Sequence, residues 1–356
     1  MGSLAEFPQP KAKVGINGFG RIGRTALRQA LLRDDLEVVA INHTCATADD
    51  LLYLIRHDTT HGLLKDAFNI KYISEEEIPI HGKTITLVST RDIAQLDWQK
   101  LGVEYVIECT GKHNKTDLSI RHVTEAHCKR VVISAPSPDA PTFVYGVNSD
   151  NLMPSEKNRV ISSASCTTNC VSPILKLLND NLGVTQAFLT TVHSATQSQQ
   201  ILDGYSKKNR RLGRSVFNNI IPTTTGANKA VTAVIPELAG KVQGISIRVP
   251  TADVSMVDLT VATDRPSSLD EVMDIFRKAA AGSMAGVLQV SDQDLVSSDL
   301  LGTSYSAVVD SKASLELNQQ FFKIIAWYDN EWGYSSRLLD LVSLIHRQET
   351  SVMNEH

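Results

Sequence analysis

Val14-Gly-Ile-Asn17 is a short apolar run that leads into Gly18-Phe-Gly20-Arg-Ile-Gly23, and Arg24 to Arg33 then carries apolar residues at helical spacing. Strand, glycine turn and helix in that order leave a chain few ways to fold. The three glycines have separate jobs: a tight turn at Gly18, bare backbone for a pyrophosphate at Gly20, and close helix packing at Gly23. A diphosphate placed there sits on the helix N-terminus, where unpaired N–H groups and the helix dipole favour anions. Leu36-Glu-Val-Val-Ala-Ile-Asn42 supplies the second strand and closes a βαβ unit of the right length.

That unit predicts a Rossmann-type α/β domain built on a parallel sheet. Val103-Glu-Tyr-Val-Ile-Glu-Cys109 and Lys129-Arg-Val-Val-Ile-Ser134 read as further strands, with a crossover helix over Lys115 to His127 between them. Ligands of open parallel sheets bind beyond the carboxyl ends of the strands, so Thr110 and Ser134 belong to the cofactor crevice. The second strand of such a fold usually ends in an acid that grips the adenosine ribose; here that place holds His43. Two readings stay open: a partly protonated imidazole that tolerates the 2′-phosphate of NADP, or a loop histidine beside NAD. Arg91, next to Thr90, lies in a loop that can approach the same adenosine.

A length of 356 residues exceeds what one compact core fills, and 42% hydrophobic content is ample for two. The division expected is residues 1–165 for the dinucleotide and 166–329 for catalysis, with a C-terminal helix over 330–356 packing back on the first domain. A net charge of −4 and a pI near 6.2 give no global attraction to nucleic acid or to anionic membranes. Five scattered Cys form no disulfide framework and no metal-ligand spacing, which favours a reducing, cytoplasmic setting and assigns no metal. His57, His61 and His113 fall in or near loops and show no ligand pattern. Residues 1–10 read as a short disordered extension, and no apolar run approaches the length of a membrane span.

Ile161-Ser-Ser-Ala-Ser-Cys-Thr-Thr-Asn-Cys170 sets Cys166 among small polar residues at the start of a helix. Helix dipole and unpaired N–H groups there predict a thiol pKa below the free value of about 8.5. Cys170, one turn on, reads as a small core residue. Val184 to His193 forms a strand ending in a histidine, which beside an exposed thiol can serve as proton acceptor and donor. Lys207 to Arg214 is the most basic stretch; its default reading is a solvated face, and the alternative is local positive potential for an anionic substrate, with Arg211 and Arg214 as ligands. Thr223-Thr-Thr-Gly226 and Arg248 add hydroxyls, backbone and a guanidinium for phosphate oxygens. Alternating strands such as Val254 to Ala262, with a helix over Ser268 to Ala281, predict an α+β second domain with an antiparallel sheet.

Taken in order, Gly15 to Arg24, Ala164 to Cys170, Thr190 to His193, Ile220 to Ala227, Arg248 to Pro250 and Trp327 to Tyr334 resemble the motifs of phosphorylating glyceraldehyde-3-phosphate dehydrogenases over about residues 12–345. The resemblance implies a homotetramer that oxidises glyceraldehyde 3-phosphate with inorganic phosphate and NAD or NADP. It implies Cys166 as nucleophile and His193 as its base. Gly18, Gly20, Arg21, Ile22, His43, Arg91, Thr110, Ser134 and Asn330 then serve the cofactor, Asn330 through the nicotinamide carboxamide. Ser165, Thr167, Thr196, Ser198, Arg211, Arg214, Thr225, Gly226 and Arg248 serve the two phosphates. Ser163 in place of the usual Asn, and Gln200 and Tyr205 after the base, resemble erythrose-4-phosphate dehydrogenases, which makes the tetrose phosphate the alternative substrate. A non-catalytic binding or regulatory paralogue is the alternative of a different class.

Overall fold

The alternation of strands and helices in the first half builds a seven-stranded sheet in the computed structural model, which describes residues 10–64, 70, 74–80, 82–207 and 209–354. Residues 1–9 of the expected extension and Lys208 of the basic stretch lie outside the described residues. The strands are β1 (Ala12–Asn17), β2 (Leu36–Asn42), β3 (Glu77–Ile80), β4 (Lys83–Val88), β5 (Tyr105–Glu108), β6 (Arg130–Ile133) and β7 (Val160–Ser162), in the order β3-β4-β2-β1-β5-β6-β7. All neighbours are parallel except the β3–β4 hairpin at one edge. Strand order reverses at β1, between β2 and β5, so a crevice opens at the carboxyl ends of those strands.

Helices α1 (Arg21–Ala30), α2 (Ala48–Arg56), α3 (Thr116–Ser119) and α4 (Arg121–Thr124) accompany this sheet. The crossover expected as one helix over 115–127 is two short ones. Glycine geometry explains the entry into α1. Gly18 has φ +96°, and a Cβ on Gly23 would lie 2.2 Å from the Gly18 carbonyl oxygen, whereas one on Gly20 would meet nothing within 4 Å. Gly18 and Gly23 thus answer to the fold, and Gly20 faces open space.

Helix α5 (Cys166–Leu182) leaves the edge strand β7 and opens the second half. There β8 (Val184–His193), β9 (Ile221–Thr224), β10 (Val242–Arg248), β11 (Ser255–Thr263), β12 (Leu288–Ser291), β13 (Ala307–Asn318) and β14 (Phe321–Tyr328) form a second sheet, ordered β12-β13-β14-β11-β8-β10-β9. Most pairings are antiparallel; β10 with β8 and β12 with β13 are parallel. Helices α5, α6 (Ala227–Val234) and α7 (Leu269–Ala281) cover one face through a core that includes Ile174, Leu178, Leu259, Phe276 and Ile324. Burial of each such side chain is worth about 1.5–3 kcal/mol.

Helix α8 (Trp332–Asn354) follows β14 and returns to the first sheet, where Leu338, Leu339, Leu341, Val342 and Ile345 join the core of β1, β2 and α1. Arg33 pairs with Asp340 at 2.6 Å, and Arg130 with Glu349 at 2.5 Å, along the same seam.

Candidate active site

Cys166 is the first residue of α5 and stands where the two halves meet, packed against the cores of both. Ser165 caps the helix by accepting from the Thr168 N–H at 3.2 Å, with its own backbone extended. Ala164 before it takes φ +55°, an uncommon conformation for a residue with a Cβ, and the Tyr334 hydroxyl donates to its carbonyl at 3.0 Å. This bend turns the chain from β7 into α5 and aims the thiol at the crevice.

The imidazole arrives from the other sheet. β8 and β10 run parallel in a register that pairs His193 with Arg248. His193 Nε2 lies 3.5 Å from Cys166 Sγ, while its Nδ1 lies 2.9 Å from the Ser194 carbonyl oxygen and 2.6 Å from Arg248 Nη1. Burial, reinforced by the Arg248 charge, holds the imidazole down at about 4. Burial pushes the Cys166 thiol up to about 11, against the pull of Arg248 and of the Thr167 N–H. The shift is opposite to the expected lowering of this thiol below the free value: desolvation outweighs the helix terminus. Thiol and imidazole both stand neutral.

Beneath them the buried Tyr328 hydroxyl bridges Thr167 and Thr191, at 2.8 Å each. Ser194 and Ser255 both donate to Asn330 Oδ1, at 2.8 and 2.7 Å, which fixes the amide and leaves its Nδ2 protons for a ligand. Tyr328 falls inside the Trp327 to Tyr334 motif without a role attached to it, and neither Ser194 nor Ser255 belongs to a motif. Each acts on a residue far away in sequence, and the Tyr that ends the apolar strand β14 is the one visible signal.

Two adjoining cavities, of about 470 and 400 Å³, share Gly20, Cys109 and Gln197. The first is lined by Gly20, Arg21, Ile22, Ser134, Ser165, Cys166, Thr167, His193, Thr196, Thr225, Gly226, Arg248 and Asn330. The second takes Gly18, His43, Arg91 and Thr110. Ser198 is exposed and reaches the first only through Thr196, 3.0 Å away. Arg211 and Arg214 line neither cavity; Arg214 pairs with Asp203 at 2.8 Å. Within one chain, the described residues of the basic stretch line neither cavity.

A dinucleotide fits this pair of cavities. The open side of Gly20 and the N-terminus of α1 suit a diphosphate, and Asn330 suits a carboxamide. Arg21 has its side chain held by Asp58 and Glu331, so what it can offer a ligand in this cavity is its backbone. The second cavity has no carboxylate in its lining, while Arg91 and Lys112 are exposed there. Of the two readings of His43, the plain loop histidine is the one this geometry favours: burial lowers its pKa, and its Nδ1 accepts from the Cys45 N–H at 3.1 Å. His113 and His122 instead surround Glu108, which accepts from Thr110 N–H at 2.7 Å; burial opposes its ionisation, but these contacts hold it down at about 2. His61 lies with Asp253 and Asp329, another grouping that sequence spacing does not show.

Residues 12–116 match the family model described as glyceraldehyde 3-phosphate dehydrogenase, NAD binding domain, and residues 165–330 match the C-terminal domain of the same enzyme. A glyceraldehyde-3-phosphate dehydrogenase 1 from Trichormus variabilis is 46% identical over 347 residues, 96% of this chain and 99% of that protein. The glyceraldehyde-3-phosphate dehydrogenase 2 of Agaricus bisporus is 45% identical over 95% of this chain and 98% of its own. A cytosolic form from Craterostigma plantagineum is 45% identical, with 93% and 97% covered.

Proposed function

We propose how this site works from the premise that the chain belongs to the glyceraldehyde-3-phosphate dehydrogenase family. It is an NAD(P)-dependent enzyme that oxidises glyceraldehyde 3-phosphate, with inorganic phosphate, to 1,3-bisphosphoglycerate. Cys166 is its nucleophile and His193 its acid and base; the observation that carries this is the 3.5 Å approach of Sγ to Nε2 at the mouth of the crevice. The sulfur adds to the aldehyde carbon, and the developing oxyanion is met by the Thr167 N–H and the imidazole. His193 takes the hemithioacetal hydroxyl proton as the C–H hydride departs, leaving a thioester on Cys166. Bound nicotinamide supplies the two-electron acceptor for that hydride. A phosphate oxygen then attacks the acyl carbon, the C–S bond breaks, and the sulfur recovers its proton from His193. Arg248, Thr196, Thr225 and Gly226 hold the phosphates against these centres.

Residues 1–165 and 166–329 are the dinucleotide-binding and catalytic domains, with the chain from 330 serving the first. Both NAD and NADP are accepted, because nothing acidic in the lining repels a 2′-phosphate and Arg91 has no ion-pair partner among the described residues. Ile201, Leu202, Tyr205 and Ile220 are 66–87% exposed, an apolar stretch that supports a homotetramer. No helix among the described residues is long and apolar enough to cross a membrane, and all five Cys are free, which supports a cytoplasmic setting.

The test is NADH or NADPH formation from glyceraldehyde 3-phosphate with and without phosphate, with erythrose 4-phosphate run in parallel. Phosphate-dependent turnover of the triose is expected. Its absence, or a preference for the tetrose, would overturn the reading. Light scattering should give four times the 39.0 kDa chain mass.

A further inference from the structure

One ring nitrogen of His193 has two neighbours that demand opposite things of it. A guanidinium nitrogen donates and never accepts, so Arg248 Nη1 at 2.6 Å needs a lone pair on Nδ1. The Ser194 carbonyl at 2.9 Å accepts and never donates, so it needs a proton on the same atom. A neutral imidazole meets one demand at a time. With Arg248 in contact, the ring proton is on Nε2 and points at Cys166 Sγ, so that nitrogen is a donor and has no lone pair for the thiol proton. With Arg248 withdrawn, Nδ1–H donates to Ser194 and the Nε2 lone pair faces the sulfur 3.5 Å away.

Arg248 also lacks a countercharge. It has no carboxylate partner among the described residues, its Nε is buried without a hydrogen-bond partner, and its other contact is a 3.2 Å bond from Nη1 to the Ser194 carbonyl. The groups facing the imidazole are Cys166 on α5, Arg248 on β10 and Tyr328 on β14, whose ring stands edge-on at 6.0 Å; Asp253 acts on Cys166 from farther off. None of these takes the guanidinium away. An anion entering the shared cavity does, because Thr225, Gly226 and Arg248 line it together.

Resting on the assignment of Cys166 and His193 above, we propose that Arg248 is a positioning residue that sets the tautomer of His193, and that a phosphate-type dianion in the cavity switches the ring from its Nε2–H to its Nδ1–H form by drawing Arg248 onto itself. The change is charge-neutral: the ring gives up the proton at Nε2 and gains one at Nδ1 through solvent. Its consequence is that the base becomes competent when a phosphorylated ligand has arrived. Aldehydes without a phosphate meet a site whose imidazole is already protonated on the side they need, so selection occurs at proton transfer as well as at binding.

Sulfate tests this without reacting. In protein labelled with 15N-histidine, the His193 ring signals, identified by their loss in His193→Gln, should report Nε2–H without sulfate and Nδ1–H with it. Alkylation of Cys166 by neutral iodoacetamide, at constant ionic strength, should accelerate roughly tenfold on adding sulfate, the scale of one charge-assisted hydrogen bond. Arg248→Lys should lose most of the sulfate response, and its pH profile of alkylation should coincide with and without the anion. A ring already in the Nδ1–H form without sulfate, or unmoved when sulfate is bound by calorimetry, overturns the proposal. If wild-type protein in that case still oxidises glyceraldehyde 3-phosphate in a phosphate-dependent way, the switch alone is lost; if it does not, the assignment beneath it fails.

Discussion

Ala164 holds φ +55° so that Cys166 can begin a helix and face outward from two cores at once. Conformations of this kind cost about 1–3 kcal/mol and persist where the surroundings enforce them. Here they are enforced by Tyr334 on the Ala164 carbonyl and by Asn169 Nδ2 on the Ser163 carbonyl at 2.8 Å. Replacing Cys166 by Ser leaves this frame intact but exchanges the sulfur for a hydroxyl that neither ionises nor forms a thioester. Turnover should fall by at least about 10³-fold. Cofactor binding, followed by fluorescence quenching, should be unchanged; near-normal rates would remove Cys166 from its role. Tyr328→Phe makes a different case. It strips the shared partner from Thr167 and Thr191, both buried, and should cost about 1–3 kcal/mol in denaturant unfolding. A loss confined to activity would mean the hydroxyl serves chemistry and not support.

The turn from β1 into α1 separates folding from binding by position alone. Gly23→Ala drives a methyl into the Gly18 carbonyl, so it should destabilise the protein by several kcal/mol, roughly the scale of an overpacked core site. Gly20→Ala meets no protein atom and should leave the melting temperature within a few degrees while weakening dinucleotide affinity; equal effects of the two variants on stability would contradict the division of labour. Elements of this kind were the legible part of the sequence. The strand–glycine–helix order, the thiol at a helix start and the histidine at a strand end are local patterns, and each is where the pattern put it. What could not be read was set by register and burial. Pairing of β8 with β10 brings Arg248 to His193, and no spacing along the chain encodes that contact. Desolvation pushes the Cys166 thiol up, although its place at a helix start suggested the reverse, and it lowers the His43 imidazole, which sequence alone left open. The helix expected over 115–127 breaks in two at Ile120, a residue in helical backbone that ends α3 and starts α4.

Across the whole molecule the two halves are joined by a cluster of charge: Arg21 and Asp58 with His61 from the first, Asp253 from the second, and Asp329 and Glu331 from the connection into α8. Asp329 is spent on the N–H groups of Gly302, Glu331 and Trp332. Asp253 Oδ2 makes no hydrogen bond among the described residues, with His61 Nε2 3.6 Å away, and burial, with the charges of Asp329 and Glu331, lifts its carboxyl well above the ordinary carboxylate range. The folded protein thus keeps a proton on Asp253 that the unfolded chain releases from about pH 4 upward, so the contribution of this group to stability falls as pH rises through that window. Asp253→Asn removes the dependence and should stabilise the protein near pH 8 by roughly 1–3 kcal/mol, with little change near pH 4. Melting curves across pH would show it, and a parallel shift at every pH would not fit. The return of α8 to the first sheet has its own consequence for synthesis. A ribosome finishes β1 to β7 long before it makes the helix that seals their core, so the nucleotide half emerges early with an oily flank uncovered. Chains cut short near the C-terminus should therefore fail first at their other end, shedding cofactor and drawing chaperones to a region whose own sequence is intact.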